Sequence, residues 1–205
     1  MLTIALSKGR ILKQTLPLLK KAGLEIADEE LNSRKLILDT NLDDVKVIVI
    51  RATDVPVFVQ HGAADIGIAG KDVLLEHGAE GIFELLDLEI AKCQLRVAAS
   101  SQDKLNQTTL KIATKYVKSA RRYFQQQGQQ IEIIKLYGAM ELAPVVGLAH
   151  CIVDLVDTGN TLKANGLIPL DHIVDISSRL IVNSASFKTK NSQIKAWVKA
   201  IEAHL

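Results

Sequence analysis

The stretch CIVDLVDTGNTL, residues 151–162, reads as a strand that runs into a polar loop and then a helix. Cys151-Ile152-Val153 is an apolar, partly β-branched run of the kind that forms a buried strand. It passes through Asp154 and Asp157 and breaks into Thr158-Gly159-Asn160-Thr161 before a short helical pattern. Strand, loop and helix in that order make the unit of an α/β protein, whose ligands collect beyond the carboxyl ends of the strands. An Asx-type turn with a helix cap would need only one Asp or Thr at the junction. Here two acids and a hydroxyl-glycine loop follow one another, a surplus that fits a cradle for a sugar phosphate. Hydroxyls and backbone N–H groups suit the anion, with the dipole of the following helix behind them. The carboxylates suit a ribose diol or water on Mg²⁺.

The same grammar recurs along the chain. Leu2 to Leu6 reads as a strand that enters Ser7-Lys8-Gly9-Arg10, then a helical pattern to Gly23 in which Pro17 predicts a kink or an early break. Val45 to Ile50 enters Arg51-Ala52-Thr53-Asp54 and a helix over 54–61, and Asp65 to Ala69 enters Gly70-Lys71-Asp72 and a helix over 71–77. Each junction has a plain reading: Lys8 and Arg10 as solvated charges, Thr53-Asp54 as a cap, Gly70-Lys71-Asp72 as a turn. Three cation-bearing junctions in one half point together to an anion-binding cleft.

Residues 34–39 and 45–50 predict strands, joined as a hairpin by Asn41-Leu42-Asp43-Asp44. The second half predicts strands over 93–99, 111–114, 131–136, 151–156 and 172–183, with helices near 115–127, 139–148, 160–165 and 190–204. Such alternation predicts parallel sheets covered by helices. The expected architecture is α/β with two lobes: residues 1–91 with 177–205 as lobe I, and 92–176 as lobe II. Crossings are expected near 88–95 and 172–182, with the ligand cleft between the lobes. Glu141, in YGAMELAPVVGLA, is a third candidate carboxylate.

Composition excludes several classes. With 205 residues, 48% hydrophobic and 4% aromatic, the chain suits an aliphatic α/β core rather than disorder. A net charge of +2 and few aromatics leave neither a basic stripe nor stacking platforms for nucleic acid. No apolar run reaches the length of a membrane span, and Lys8 and Arg10 interrupt any secretory h-region. Cys93 and Cys151 read as free thiols in a reducing cytoplasm, and the five histidines show no zinc-ligand spacing.

The blocks together resemble the catalytic subunit of the ATP phosphoribosyltransferase family, of histidine biosynthesis. The signature runs Glu141-x5-Gly147-x-Ala149, Ile152-x-Asp154-Leu155, then Thr158-Gly159-Asn160-Thr161-Leu162. ALSKGR (5–10), RATDVPVFV (51–59), ADIGIAGKDVL (64–74), IATKY (112–116), ARRYF (120–124) and SSRLIVN (177–183) add to it. The resemblance implies a type II periplasmic-binding-protein-like fold. It also implies transfer of phosphoribosyl from 5-phosphoribosyl 1-pyrophosphate (PRPP) to N1 of ATP, releasing pyrophosphate, with substrate-bound Mg²⁺ and no metal ligands from the protein.

The chain resembles the short form, which works with a regulatory subunit similar to histidyl-tRNA synthetase. A homodimer alone and a hetero-oligomer with that subunit are the expected assemblies. Under this reading Asp154, Asp157, Thr158, Gly159, Asn160 and Thr161 bind PRPP. Lys8, Arg10, Arg51 and Glu141 contact pyrophosphate or ATP, and Arg51 stabilises the leaving group. A type I phosphoribosyltransferase typically has adjacent acids, whereas Asp154 and Asp157 are three apart. A two-lobed anion- or nucleotide-binding protein without catalysis is the other alternative.

Overall fold

The computed structural model describes residues 1–78 and 80–205. In chain order the elements begin β1 (Leu2–Ser7), α1 (Arg10–Lys21), α2 (Asp28–Leu31), β2 (Ile37–Asp39), β3 (Val45–Ile50), α3 (Val55–Gln60) and β4 (Ile66–Gly70). Next come α4 (Lys71–His77), β5 (Ile82–Asp87), β6 (Cys93–Ala99), a 3₁₀ turn at Gln102–Leu105, β7 (Thr109–Thr114), α5 (Val117–Gln126) and β8 (Gln130–Lys135). The chain closes with α6 (Leu142–Val145), β9 (Cys151–Val156), α7 (Asn160–Ala164), β10 (Ile168–Ile176), β11 (Ser178–Asn183), α8 (Ser184–Thr189) and α9 (Asn191–Glu202). Contacts divide the chain into two compact units, Met1–Ala91 with Ser177–Leu205, and Lys92–Ile176.

The first unit is built on a six-stranded sheet in the order β2-β3-β1-β4-β11-β5. Strands β3, β1 and β4 run parallel, with Ser7 opposite Ile50. On β1 the side chains alternate faces: Leu2, Ile4 and Leu6 pack with Leu19 of α1 and Ile194 and Ile201 of α9, while Ala5 packs with Val55 and Val59 of α3. Helix α3 lies so close to β4 that a Cβ on Gly67 would come within 2.6 Å of Val59 and 2.9 Å of Val55.

The second unit has a five-stranded sheet, β10-β6-β9-β7-β8, with β8, β7 and β9 parallel. One face buries Ala98, Ala113, Met140, Ala143, Ala149, Ile152, Val156, Leu162 and Leu167 in a common cluster.

Several expectations from periodicity need correction. The sheets are mixed rather than parallel: beside the expected hairpin of β2 and β3, β11 pairs antiparallel with β4 and β5, and β6 with β9 and β10. Helix α1 passes through Pro17 without ending, because its buried residues Thr15 and Leu19 hold it to the sheet on both sides of the proline. The single strand expected over 172–183 is two, β10 and β11, one in each sheet. Strand β5 was not anticipated: its burial pattern lacks regular alternation, so it carries no period-2 signal. The helix expected over 139–148 contracts to Leu142–Val145, ended by Gly147 at φ +75°. The terminal helix spans Asn191–Glu202 and follows a separate α8.

Candidate active site

Strand β9 delivers its loop through a backbone that only glycine accepts readily. Gly159, at φ 75° and ψ 3°, lies in the left-handed region and caps α7. Behind it the Thr158 hydroxyl accepts from the Asn160 N–H at 3.4 Å. The leading N–H groups of α7 lack intrahelical acceptors, as at any helix start, and Thr158, Asn160 and Thr161 are exposed beside them. Helix α7 has five residues, so its dipole is weak, and an anion at this loop would rely on the local N–H and hydroxyl donors.

The loop borders a depression of about 160 Å³ lined by Asp157, Thr158, Gly159, Asn160, Thr161 and Glu141. Glu141 arrives there from the start of α6, so the structure unites a residue that sequence spacing left apart. Asp154 is placed differently. It lies half-buried within β9, with Oδ1 accepting from the Leu155 N–H at 2.8 Å. Directly opposite on β6 stands Arg96, whose guanidinium donates to Gln94 Oε1 at 3.3 Å and the Leu170 carbonyl at 2.8 Å. Arg96 was missed by sequence reasoning; the available signal was a cation at the centre of the apolar run CQLRVAA, where a charge needs polar partners.

In the first unit, β1 and β3 end side by side and the Lys8 N–H donates to the Ile50 carbonyl at 3.2 Å. Lys8 and Arg51 therefore leave adjacent strand ends, both exposed, with Arg10 opening α1 behind Gly9. The third junction differs, because Lys71 is paired with Glu84 at 2.6 Å. Asp54 occupies the cap position of α3 but makes no side-chain capping bond; the Thr53 hydroxyl donates to its Oδ1 at 3.2 Å instead. Tyr116 is only 2% exposed and packs in the core.

Burial, with the charge of Asp171 adding to it, pushes the Cys151 thiol up to about 12, which suppresses the thiolate and any nucleophilic role. Cys93 is half-buried and forms no disulfide. Among the described residues no group of three or more His, Cys, Asp or Glu is arranged to hold a metal ion. Asp157 and Glu141, as oxygen donors on one depression, suit outer contacts to a hydrated hard cation that a substrate brings. No helix among the described residues is long and apolar enough to cross a membrane.

Two mixed α/β units, the second with a left-handed glycine loop at a strand end, define a two-lobed, periplasmic-binding-protein-like protein. The fold is shared with the periplasmic aliphatic sulphonate binding protein SsuA of Escherichia coli, at TM-score 0.60 and 15% identity over 98% of this chain and 68% of that one. A family model described as HisG, ATP phosphoribosyltransferase, matches residues 51–203. Curated ATP phosphoribosyltransferases from Ruthia magnifica and Alcanivorax borkumensis are 79% identical (100% of both chains) and 63% identical (98% of this chain, 95% of that one). The ATP phosphoribosyl transferase (HisG:HisZ) complex from Thermotoga maritima contains a chain with TM-score 0.86 and 32% identity, covering 99% of this chain and 98% of that one.

The chain belongs to the ATP phosphoribosyltransferase family, in its short form. It is thereby a glycosyltransferase of the first step of histidine biosynthesis.

Proposed function

We propose that the loop Thr158–Thr161 holds the 5-phosphate of PRPP, that Asp154 and Asp157 take the ribose hydroxyls, and that Lys8, Arg10 and Arg51 engage pyrophosphate or the phosphates of ATP. The observation that carries this reading is the shared depression of Glu141, Asp157 and the loop around Gly159. Hydrogen-bond donors for an anion beside carboxylate acceptors for hydroxyls are the complement of a ribose 5-phosphate, which supports the reading.

N1 of ATP forms a bond to C1 of the ribose as the C1–O bond to pyrophosphate breaks, the electron pair leaving with pyrophosphate. The nucleophile is a neutral ring nitrogen, so no strong base is needed to start. The barrier lies in positive charge growing on the ribose and negative charge on the leaving group, which positioning and fixed charges lower. Asp154 and Asp157 orient the ribose, and their negative charge favours its cationic character. Arg51 stabilises the departing pyrophosphate, with Lys8 and Arg10 sharing the phosphate charge. Glu141 contacts substrate from the rim of the same depression. Asp157 and Glu141, which line the same depression, would face the water shell of a Mg²⁺ ion carried in by the substrate, and such an ion would supply charge neutralisation for the leaving group.

The partner of this chain is taken as a regulatory subunit, since the Thermotoga maritima relative is described in a HisG:HisZ complex. By itself the chain forms a homodimer, and two cysteines outside any disulfide, Cys93 and Cys151, fit a reducing cytoplasm.

The test is mass spectrometry of products from ATP, PRPP and Mg²⁺, with and without that subunit, for wild type beside an Asp157→Ala, Thr161→Ala double variant. Phosphoribosyl-ATP from wild type and at least about tenfold less from the folded variant supports the assignment. Equal product from both removes the loop from the PRPP site.

A further inference from the structure

Glu141 reaches the loop depression from a turn whose backbone is in an uncommon state. Ala139 has φ +48°, a left-handed conformation that brings a Cβ too close to the neighbouring carbonyl and that residues other than glycine rarely adopt. Two successive tight turns follow: the Leu142 N–H donates to the Ala139 carbonyl at 3.2 Å, and the Ala143 N–H to the Met140 carbonyl at 3.0 Å. Their effect is to send neighbouring side chains in opposite directions. Met140 is 1% exposed and inserts into the core of the second unit, while Glu141 lies on the depression.

The core that receives Met140 also contains Val156 and Leu162. Those two residues bracket Asp157–Thr161 in the chain, so both ends of the loop and the turn carrying Glu141 are anchored in one apolar cluster. We propose that Ala139 and Met140 are positioning residues: the left-handed turn and its buried methionine fix Glu141 in register with the phosphate loop. The proposal rests on the reading of Glu141 as a substrate contact. It goes beyond that reading by assigning its placement to an apolar residue that touches no substrate. Methionine suits the task because it fills an irregular gap between the loop ends and the turn. A smaller side chain would let the turn settle and carry the carboxylate away from the loop.

The test is a double-mutant cycle between Met140→Ala and Glu141→Gln, read as kcat and KM for PRPP, with thermal midpoints to verify folding at the assay temperature. Met140→Ala is expected to lower kcat/KM about tenfold in the otherwise wild-type chain and by less than about twofold in the Glu141→Gln background, since the lost geometry then has nothing to position. Met140→Leu, which nearly conserves volume, is expected to restore most of the activity. Ala139→Gly, which keeps the φ but loosens the turn, is expected to lower kcat/KM a few-fold without lowering the thermal midpoint.

Additive losses in the cycle overturn the proposal while leaving Glu141 as a substrate contact. A Glu141→Gln variant with wild-type kinetics overturns both the contact and the positioning role.

Discussion

At Gly159 the requirement is backbone geometry rather than space: a Cβ there would meet nothing closer than Val156 Cγ1 at 3.9 Å, yet φ is +75°. Gly159→Ala should therefore destabilise the loop conformation by about 1 kcal/mol and raise KM for PRPP several-fold, with little change in the melting of the rest of the protein. Steady-state kinetics beside a thermal scan separate the two effects. Arg51 makes a different prediction. Its proposed interaction strengthens as charge develops on the leaving group, so Arg51→Ala should reduce kcat about a hundredfold with a smaller change in KM, and unchanged turnover would remove it from the mechanism. The loop residues were legible in the sequence because their chemistry is local: two hydroxyls, a glycine and two acids lie within eight positions. Glu141 was legible as a candidate but its place beside the loop was not, because that depends on the turn at Ala139 and the burial of Met140. Arg96 escaped because, although Gln94 lies two residues away on the same strand, its other partner, the Leu170 carbonyl, is defined only by strand pairing and the irregular register of β10.

Among the elements, the start of β4 is tied to the chain's last helices by a polar network. Asp65, 6% exposed, accepts from the Thr3 N–H at 2.9 Å, the Ser186 hydroxyl at 2.6 Å and the Lys190 ammonium at 2.8 Å; Lys190 also donates to the Met1 carbonyl. Burial raises the Asp65 carboxyl, but the bonds from Lys190, Ser186 and Thr3 outweigh it and hold the group below its ordinary value. A depressed carboxylate contributes stability that is present above the unfolded-state pKa of about 3.9 and is lost as pH falls through the folded value. Denaturant midpoints should therefore fall between about pH 4 and lower pH in the wild type, and less steeply in Asp65→Asn. Lys190→Met should cost about 2 kcal/mol at neutral pH, a figure reduced from that of a fully buried pair because Lys190 is 34% exposed. The helices and central strands were legible from periodicity because β1, β3, β6 and β9 carry long aliphatic runs. Strand direction was not: β11 follows the whole second unit in the chain, and nothing in SRLIVN says that it pairs antiparallel with β4 and β5.

At the scale of the molecule, the proposed PRPP loop, Asp154, Asp157 and Glu141 all belong to Lys92–Ile176. That unit has its own five-stranded sheet and core, and its ends are adjacent, since Cys93 pairs with Ile176. A fragment of residues 92–176 is expected to fold alone, with dispersed amide NMR signals, and to show shifts at Gly159 and Thr161 on adding PRPP with Mg²⁺. Lys8, Arg10 and Arg51, proposed for pyrophosphate and ATP, lie outside this fragment, which should therefore transfer nothing. The same division sets the most direct test of the central claim, that the loop holds the 5-phosphate of PRPP. Calorimetric titrations of the full chain with PRPP–Mg²⁺ and, separately, with ATP would compare wild type and Thr161→Ala. The account predicts PRPP affinity at least about tenfold weaker in the variant and ATP affinity unchanged. Unaltered PRPP affinity, or a loss confined to ATP, would contradict it.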